Sequence, residues 1–311
     1  MENSKAELVA VLGHTAAGKT SFAAHLARRI GGEIISADSR QVYRRMDIGT
    51  GKDKEAYLVK NERIPVHLID LVDAGYEYNV YLYKKDFHRV FTDITDRKLV
   101  PVLCGGSGLY LESVLRNYQL HQVPLNSALR EDLEKKDFQA LEGILKLYGP
   151  LHNVSDTVNR ERTIRAIEIA MYQAAMTESP MEDRVLRPLI LGIYYERSVR
   201  RERITKRLEE RLKSGLVEEI ESLLQQGIGA EKLDYYGLEY RFVSRYILKD
   251  LAYDEMFSKL NSAIHQFAKR QMTYFRGMER RGIRIHWLEG EIPLEEKLDK
   301  AMELYGEPLI R

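Results

Sequence analysis

The octapeptide Gly13-His14-Thr15-Ala16-Ala17-Gly18-Lys19-Thr20 fits G-x-x-x-x-G-K-[ST], and its flanks constrain the fold more than any other feature. A short apolar run, Glu7–Leu12, precedes it, and a helical stretch from Lys19 to Ile30 follows. Strand, glycine-rich turn and helix in that order make a phosphate-binding loop. Glycines let backbone amides curl around an anion, and the helix N-terminus adds partial positive charge. Gly13, Thr15, Ala16, Ala17, Gly18, Lys19 and Thr20 are the candidate phosphate ligands, with Lys19 neutralising the outer phosphate and Thr20 placed to ligate Mg²⁺. The loop alone does not say which phosphate compound it takes.

The first half alternates strand and helix signals. Glu33–Asp38, His67–Asp70 and Leu99–Cys104 read as strands, and Val80–Lys98 has helical spacing. Alternation of this kind predicts an α/β fold with a parallel sheet covered on both faces. Ligands on such sheets sit at the carboxyl ends of the strands. After Tyr110 the pattern changes: Ser127–Leu147 and Val158–Met171 read as charged amphipathic helices with no strand between them. Leu189–Tyr195 returns to the sheet, and a helical region follows from Val199 to about Arg281, punctuated at Gly227–Gly229 and Gly237. Arg284–Leu288 is a last strand and Pro293–Tyr305 a terminal helix. The simplest architecture is a core of 1–113 and 185–311 with C-terminal helices, interrupted by a helical insertion at 114–184.

Charge narrows the function classes. With 48 basic and 47 acidic side chains the net is +1, which excludes a uniformly basic nucleic-acid coat but not a local basic groove. No run approaches the roughly 18 apolar residues that cross a bilayer, and the expectation is a cytoplasmic protein with no membrane partner and a monomer as the default. The single cysteine, Cys104, sits in an apolar run and reads as a buried, inert thiol.

Asp38 ends the second strand in Ser36-Ala37-Asp38-Ser39-Arg40-Gln41-Val42-Tyr43. An isolated Asp-Ser pair is read first as a helix cap. Here Met46-Asp47-Ile48-Gly49-Thr50-Gly51-Lys52 follows, and the two strings together resemble the tRNA dimethylallyltransferase (tRNA isopentenyltransferase) family. That family joins G-P-T-A-S-G-K-[ST] to D-S-x-Q-[VI]-Y and M-D-I-G-T-[AG]-K. His67-Leu68-Ile69-Asp70 fits its H-L-I-D, and Gly105-Gly106-Ser107-Gly108-Leu109-Tyr110 fits G-G-T-G-L-Y. Asp156, Asn159, Arg162 and Arg165-Ala166-Ile167-Glu168 fit D-x-x-N-x-x-R-x-x-R-A-[IL]-E, and Lys269–Arg276 fits K-R-Q-x-T-W-[FL]-R. The matches span nearly the whole chain in the family's order.

The resemblance implies a P-loop NTPase-like sheet carrying an inserted helical tRNA-binding domain. It implies that the loop holds the diphosphate of dimethylallyl diphosphate with Mg²⁺, although the motif by itself reads as ATP- or nucleotide-binding. The acceptor would be N6 of the adenine 3′ of the anticodon in a tRNA anticodon stem-loop. Asp38 matches the carboxylate that takes the amine proton, and Ser107 stands where a threonine contacts the same adenine. Arg203 and Arg207 lie in a segment resembling R-I-x-x-R and are implied to help hold the diphosphate, although their charged helix reads by pattern alone as a solvated face. Tyr274, in place of the commoner Trp, is suited to stacking on an unstacked base. Ser39, Arg40, Gln41, Arg130, Arg162, Arg165, Arg241, Lys269, Arg270, Gln271, Thr273 and Arg276 are implied tRNA contacts.

Departures from the family's pattern at His14, Ala17, Ser107, Tyr240 and His265, with a tyrosine-rich Tyr76–Tyr83, mark a divergent branch. The rivals are an adenylate isopentenyltransferase acting on free AMP, ADP or ATP, a small-molecule or nucleotide kinase, and a non-catalytic tRNA-binding paralogue.

Overall fold

Alternating apolar side chains decide how the sheet is built. β1 (Leu8–Gly13), β2 (Gly32–Ala37), β6 (Val100–Gly105) and β7 (Pro188–Tyr194) are buried almost throughout, as strands covered on both faces must be. The computed structural model describes residues 6–148, 157, 159–175 and 186–306. It places two compact units, Met1–Tyr118 with Arg184–Arg311, and Gln119–Asp183.

In the first unit, β5 (Val66–His67) and β8 (His286–Glu289) complete a parallel sheet of order β5-β2-β6-β1-β7-β8. Leu8, Ala10, Leu12, Ile35 and Leu103 point to one face, and Val9, Val11, Ile34, Val102 and Leu191 to the other. Helices α1 (Lys19–Ile30) and α12 (Leu294–Gly306) cover the second face through Phe22, Leu26 and Leu298. The first face is packed by α2 (Val80–Asp96) and α3 (Gly108–Leu115). It also carries α7 (Arg197–Lys213), α8 (Leu216–Gln225), α9 (Ala230–Tyr236), α10 (Leu238–Ile247) and α11 (Tyr253–Arg280). The second unit is helical, with α4 (Ser127–Glu134), α5 (Phe138–Lys146) and α6 (Arg160–Ala175) packed around Leu133, Leu141, Leu145, Ile164 and Ile167. It starts at Gln119 rather than 114 because α3 runs on to Leu115 in the first unit.

Several elements differ from the sequence reading. Ser127–Leu147 is two helices, because Asp137 accepts a hydrogen bond from the Ala140 amide at 2.7 Å and starts a new one. The long region after Val199 breaks also at Ser214–Gly215, where Gly215 takes a φ of 101°, and again before Tyr253. His67–Asp70 is not a full strand: Leu68 and Asp70 adopt φ of 61° and 52°, which ends the extended backbone at His67. A 3₁₀ turn at Lys54–Tyr57 and a hairpin, β3 (Leu58–Val59) with β4 (Glu62–Arg63), were not foreseen. Cys104 is buried in β6, and burial pushes its thiol up to about 12. Among the described residues no helix is long and apolar enough to cross a membrane.

Candidate active site

The sheet order puts the carboxyl ends of β2, β6 and β1 side by side, and each opens into one of the chemically marked loops. Parallel register pairs Ala37 with Gly105 and Leu12 with Gly105. Gly105 has no room for a side chain, since a Cβ there would lie 2.1 Å from the Ala37 carbonyl oxygen.

After β1 the chain turns through Ala16 at φ 62° and Gly18 at φ 77° to start α1. Lys19 folds back over this turn, its Nζ donating to the His14 carbonyl at 2.7 Å. Desolvation lowers Lys19 to about 8, opposed in part by the charge of Asp38. His14 is fully buried and its Nδ1 donates to the Thr15 carbonyl at 2.6 Å. Its edge packs on Tyr195, with ring centroids 5.9 Å apart. Burial drops the imidazole to about 4, so the ring is neutral and stiffens the loop position that it occupies in place of proline.

Asp38 follows β2 and accepts from the Arg40 amide at 2.9 Å through Oδ1. This bond closes a local turn and not a helix cap, since no helix starts at Asp38; it occupies one oxygen, and Oδ2 makes no hydrogen bond among the described residues. Opposite it, the Ser107 Oγ accepts from the Ser39 amide at 3.0 Å and lies 3.3 Å from the Ser39 hydroxyl. Ser107 therefore ties the loop after β6 to the loop carrying Asp38. Gln41 donates to the Gly51 carbonyl at 3.3 Å and accepts from Ser36 at 3.4 Å. Arg40 lies over the ring of Tyr235, 4.7 Å from its centroid.

From α7, the Arg203 Nε donates to the Ala16 carbonyl at 3.0 Å, and its guanidinium lies 4.4 Å from the Tyr195 ring centroid. One turn on, Arg207 reaches the Gly51 carbonyl at 3.4 Å. Desolvation lowers Arg207 to about 10, with Arg211 adding to the fall and Asp38 opposing it. This stripe faces the phosphate loop, so a wholly solvated face is overturned for Arg203 and Arg207.

The M-D-I-G-T-G-K block forms a scaffold beside this site. Glu219 on α8 accepts the amides of Asp47 at 2.8 Å, Ile48 at 2.7 Å and Gly49 at 3.0 Å, and the Tyr240 hydroxyl at 2.7 Å. The side chain of Lys52 is wholly buried, held by the Tyr43 carbonyl, Asp47 at 2.7 Å and Asp70. Sequence alone does not find Glu219, because one glutamate in a charged helix carries no sign of three distant amides.

Within α11 the expected contacts separate. Lys269, Arg270, Thr273 and Arg276 are exposed on one side. Gln271 is buried: its Oε1 accepts from the Thr15 amide at 2.8 Å and its Nε2 donates to the Gly106 carbonyl at 2.9 Å. It is a brace between two loops, not a surface contact. Tyr274 is also not a free stacking platform, since it packs on Gly108 and donates to Glu112 at 2.7 Å. Arg241 is half-buried and paired with Asp234 at 3.4 Å. Of the tyrosines in Tyr76–Tyr83, two are core: Tyr83 stacks on Tyr110 at 4.1 Å and Tyr78 bonds Asp86 at 2.8 Å, while Tyr81 is half-buried and Tyr76 exposed.

In the second unit Glu168 is buried and accepts Arg130 at 3.0 and 2.9 Å, Arg165 at 2.6 Å and the Asn126 amide at 2.7 Å. Arg130 and Arg165 therefore hold this unit's core together, while Arg162 stands exposed. Asp156 lies outside the described residues.

Residues 41–278 match the family model described as IPP transferase. The chain is 50% identical over 303 residues to a protein of Parabacteroides distasonis named tRNA dimethylallyltransferase 1, covering 97% of this chain and 99% of that one. It is 52% identical over 296 residues to tRNA dimethylallyltransferase 2 of Bacteroides fragilis, covering 94% and 96%. A crystal structure of a tRNA isopentenylpyrophosphate transferase from Bacillus halodurans superposes with a TM-score of 0.68 at 30% identity, covering 96% of this chain and 94% of that one. With loop, carboxylate and arginines gathered at neighbouring strand ends and these likenesses over nearly its whole length, the chain belongs to the IPP transferase family.

Proposed function

We propose that this chain is a prenyltransferase that moves the dimethylallyl group of dimethylallyl diphosphate onto N6 of the adenine 3′ of a tRNA anticodon. The observation that carries the reading is the juxtaposition, on adjacent strand ends, of the phosphate loop with Asp38 and Ser107. A kinase needs the loop but has no use for the carboxylate-bearing string beside it.

The loop amides, Lys19, Arg203 and Arg207 receive the diphosphate. The bond between prenyl C1 and the diphosphate oxygen breaks as the bond from C1 to N6 forms. The leaving diphosphate carries away the bonding pair, and its growing charge falls against fixed donors. N6 becomes cationic as it alkylates, and Asp38 takes its proton through the oxygen not used by Arg40. Ser107 holds the loop that aims Asp38.

Mg²⁺ fits the donor set. Among the described residues no group of three His, Cys, Asp or Glu side chains could hold a metal, and the protein ligand that this reading assigns is the Thr20 hydroxyl in the first turn of α1. That suits an ion which keeps its waters and binds chiefly to phosphate oxygens. Bound there, it would offset negative charge on the diphosphate.

The acceptor adenine would have to leave the loop's stack to reach Asp38. The reading includes a monomer working in the cytoplasm. Mass spectrometry of nucleosides from unmodified tRNA, after incubation with enzyme, Mg²⁺ and dimethylallyl diphosphate, tests it. N6-dimethylallyladenosine in tRNA, with AMP and ATP left unchanged in parallel reactions, is the expected result. Prenylated AMP or ATP without modified tRNA would overturn it.

A further inference from the structure

Helices α7 and α11 run antiparallel. Thr205 bonds Asn261 at 3.1 Å and lies 3.4 Å from His265, while earlier on α7 Arg200 is within electrostatic reach of Arg276 further along α11. Arg197, Arg200 and Arg201 stand at i, i+3 and i+4, so they share one face of α7. This face therefore lies along the half of α11 that exposes Lys269, Arg270 and Arg276.

The clustering is uncompensated. Arg197, Arg200, Arg201, Lys269, Arg270 and Arg276 make no ion pair among the described residues, although glutamates are plentiful on α7. Partial burial lowers Arg200, the charges of Arg197 and Arg276 lower it further, and Glu196 opposes them only in part. In a chain whose net charge is +1, cations gathered this way are segregated, not merely abundant. The strip also joins the phosphate loop. Arg200 and Arg203 both act on His14, and Arg203 bonds Ala16.

We propose that Arg197, Arg200 and Arg201 of α7, together with Arg276 of α11, form a docking surface for the phosphodiester backbone of the RNA acceptor. This rests on the reading that the acceptor is RNA and adds three arginines of α7 that precede the segment resembling R-I-x-x-R. The surface reads no bases. It supplies sequence-independent attraction and orients the RNA beside the diphosphate cleft. Rigid helices present the guanidinium groups, so little ordering is needed when phosphates arrive.

The test is binding of unmodified tRNA across a salt series, with wild-type enzyme, R197Q/R200Q/R201Q and R197Q/R201Q. A charge-matched control, K85Q/R89Q/K98Q, removes three cations on and just after α2. Each lost phosphate contact should flatten the dependence of log affinity on log salt by about one. The triple variant should therefore be flatter by about two to three and bind about 10-fold or more weakly at low salt. The double variant, whose residues are both exposed, should be flatter by about two and guards against a folding defect at Arg200. In R197Q/R201Q, which leaves Arg200 beside the phosphate loop untouched, the tRNA KM should rise while kcat at saturating tRNA and dimethylallyl diphosphate affinity hold. Variants with the control's slope would overturn the surface and leave the prenyl-transfer reading standing. Wild-type enzyme that binds no tRNA would overturn both.

Discussion

Gln271 reaches across 256 residues of chain to accept the Thr15 amide at 2.8 Å, so the phosphate loop is braced by the helix that ends the first unit's helical layer. Its amide nitrogen holds Gly106 at the same time. One buried side chain thus sets the spacing between the loop after β1 and the loop after β6. Gln271→Ala would strand both backbone partners, at a cost of about 1 to 3 kcal/mol in stability. Thermal denaturation should show the loss, and the KM for dimethylallyl diphosphate should rise. An unchanged melting point with weakened tRNA binding would restore the surface-contact role.

Asp38→Ala is expected to lower single-turnover prenyl transfer by about 10²- to 10⁴-fold, the range for a positioned proton acceptor. tRNA affinity should stay within a few-fold of wild type. Near-normal single-turnover rates would remove Asp38 as the base.

Glu219→Ala removes the acceptor for three amides and the buried Tyr240 hydroxyl. A loss of about 3 kcal/mol is expected, since groups left unsatisfied in the interior keep their full desolvation penalty. Urea denaturation checks it, and Glu219→Gln should recover part of the loss because one oxygen acceptor remains.

The two helical-unit arginines should separate by effect. Arg130→Ala leaves Glu168 without its two-pronged partner and should cost about 1 to 3 kcal/mol of stability. Arg162→Ala touches an exposed side chain and should change stability by less than about 0.5 kcal/mol while weakening tRNA binding. Equal stability losses in the two variants would contradict the assignment.

Acid stability follows from two buried glutamates. Hydrogen bonds from Arg97 at 2.6 and 2.7 Å, with His67 assisting, hold Glu33 at about 2. Burial raises Glu168, but Arg130, the Asn126 amide and Arg165 outweigh it and hold the carboxyl at about 2 as well. Both native values lie below the ordinary 4.5, so the unfolded chain binds protons first as pH falls. Their stabilisation is full above about pH 4.5 and is lost on descent toward about pH 2. Urea midpoints over that window should fall steeply in wild type and less steeply in Glu33→Gln.

Local sequence by itself determined the strand–loop–helix at Gly13–Thr20, the parallel sheet and a carboxylate at a strand end, to which the family resemblance added the role of base. Each follows from contiguous residues: apolar runs that must be buried, glycines that permit a left-handed turn, and a carboxylate at a strand end. Helix α1 begins and ends where the pattern placed it, at Lys19 and Ile30. Tertiary structure alone decided what the long-range polar side chains do. A glutamine, a tyrosine or an arginine carries the same donors and acceptors on a surface or in a core, and only the fold says which partners meet it. Packing of α11 against the sheet turned Gln271 and Tyr274 inward to Thr15 and Glu112, and packing within the second unit spent Arg130 and Arg165 on Glu168. The pairing of α7 with α11 likewise brought Arg200 within electrostatic reach of Arg276, because like charges distant in sequence act on each other only when the helices carrying them pack.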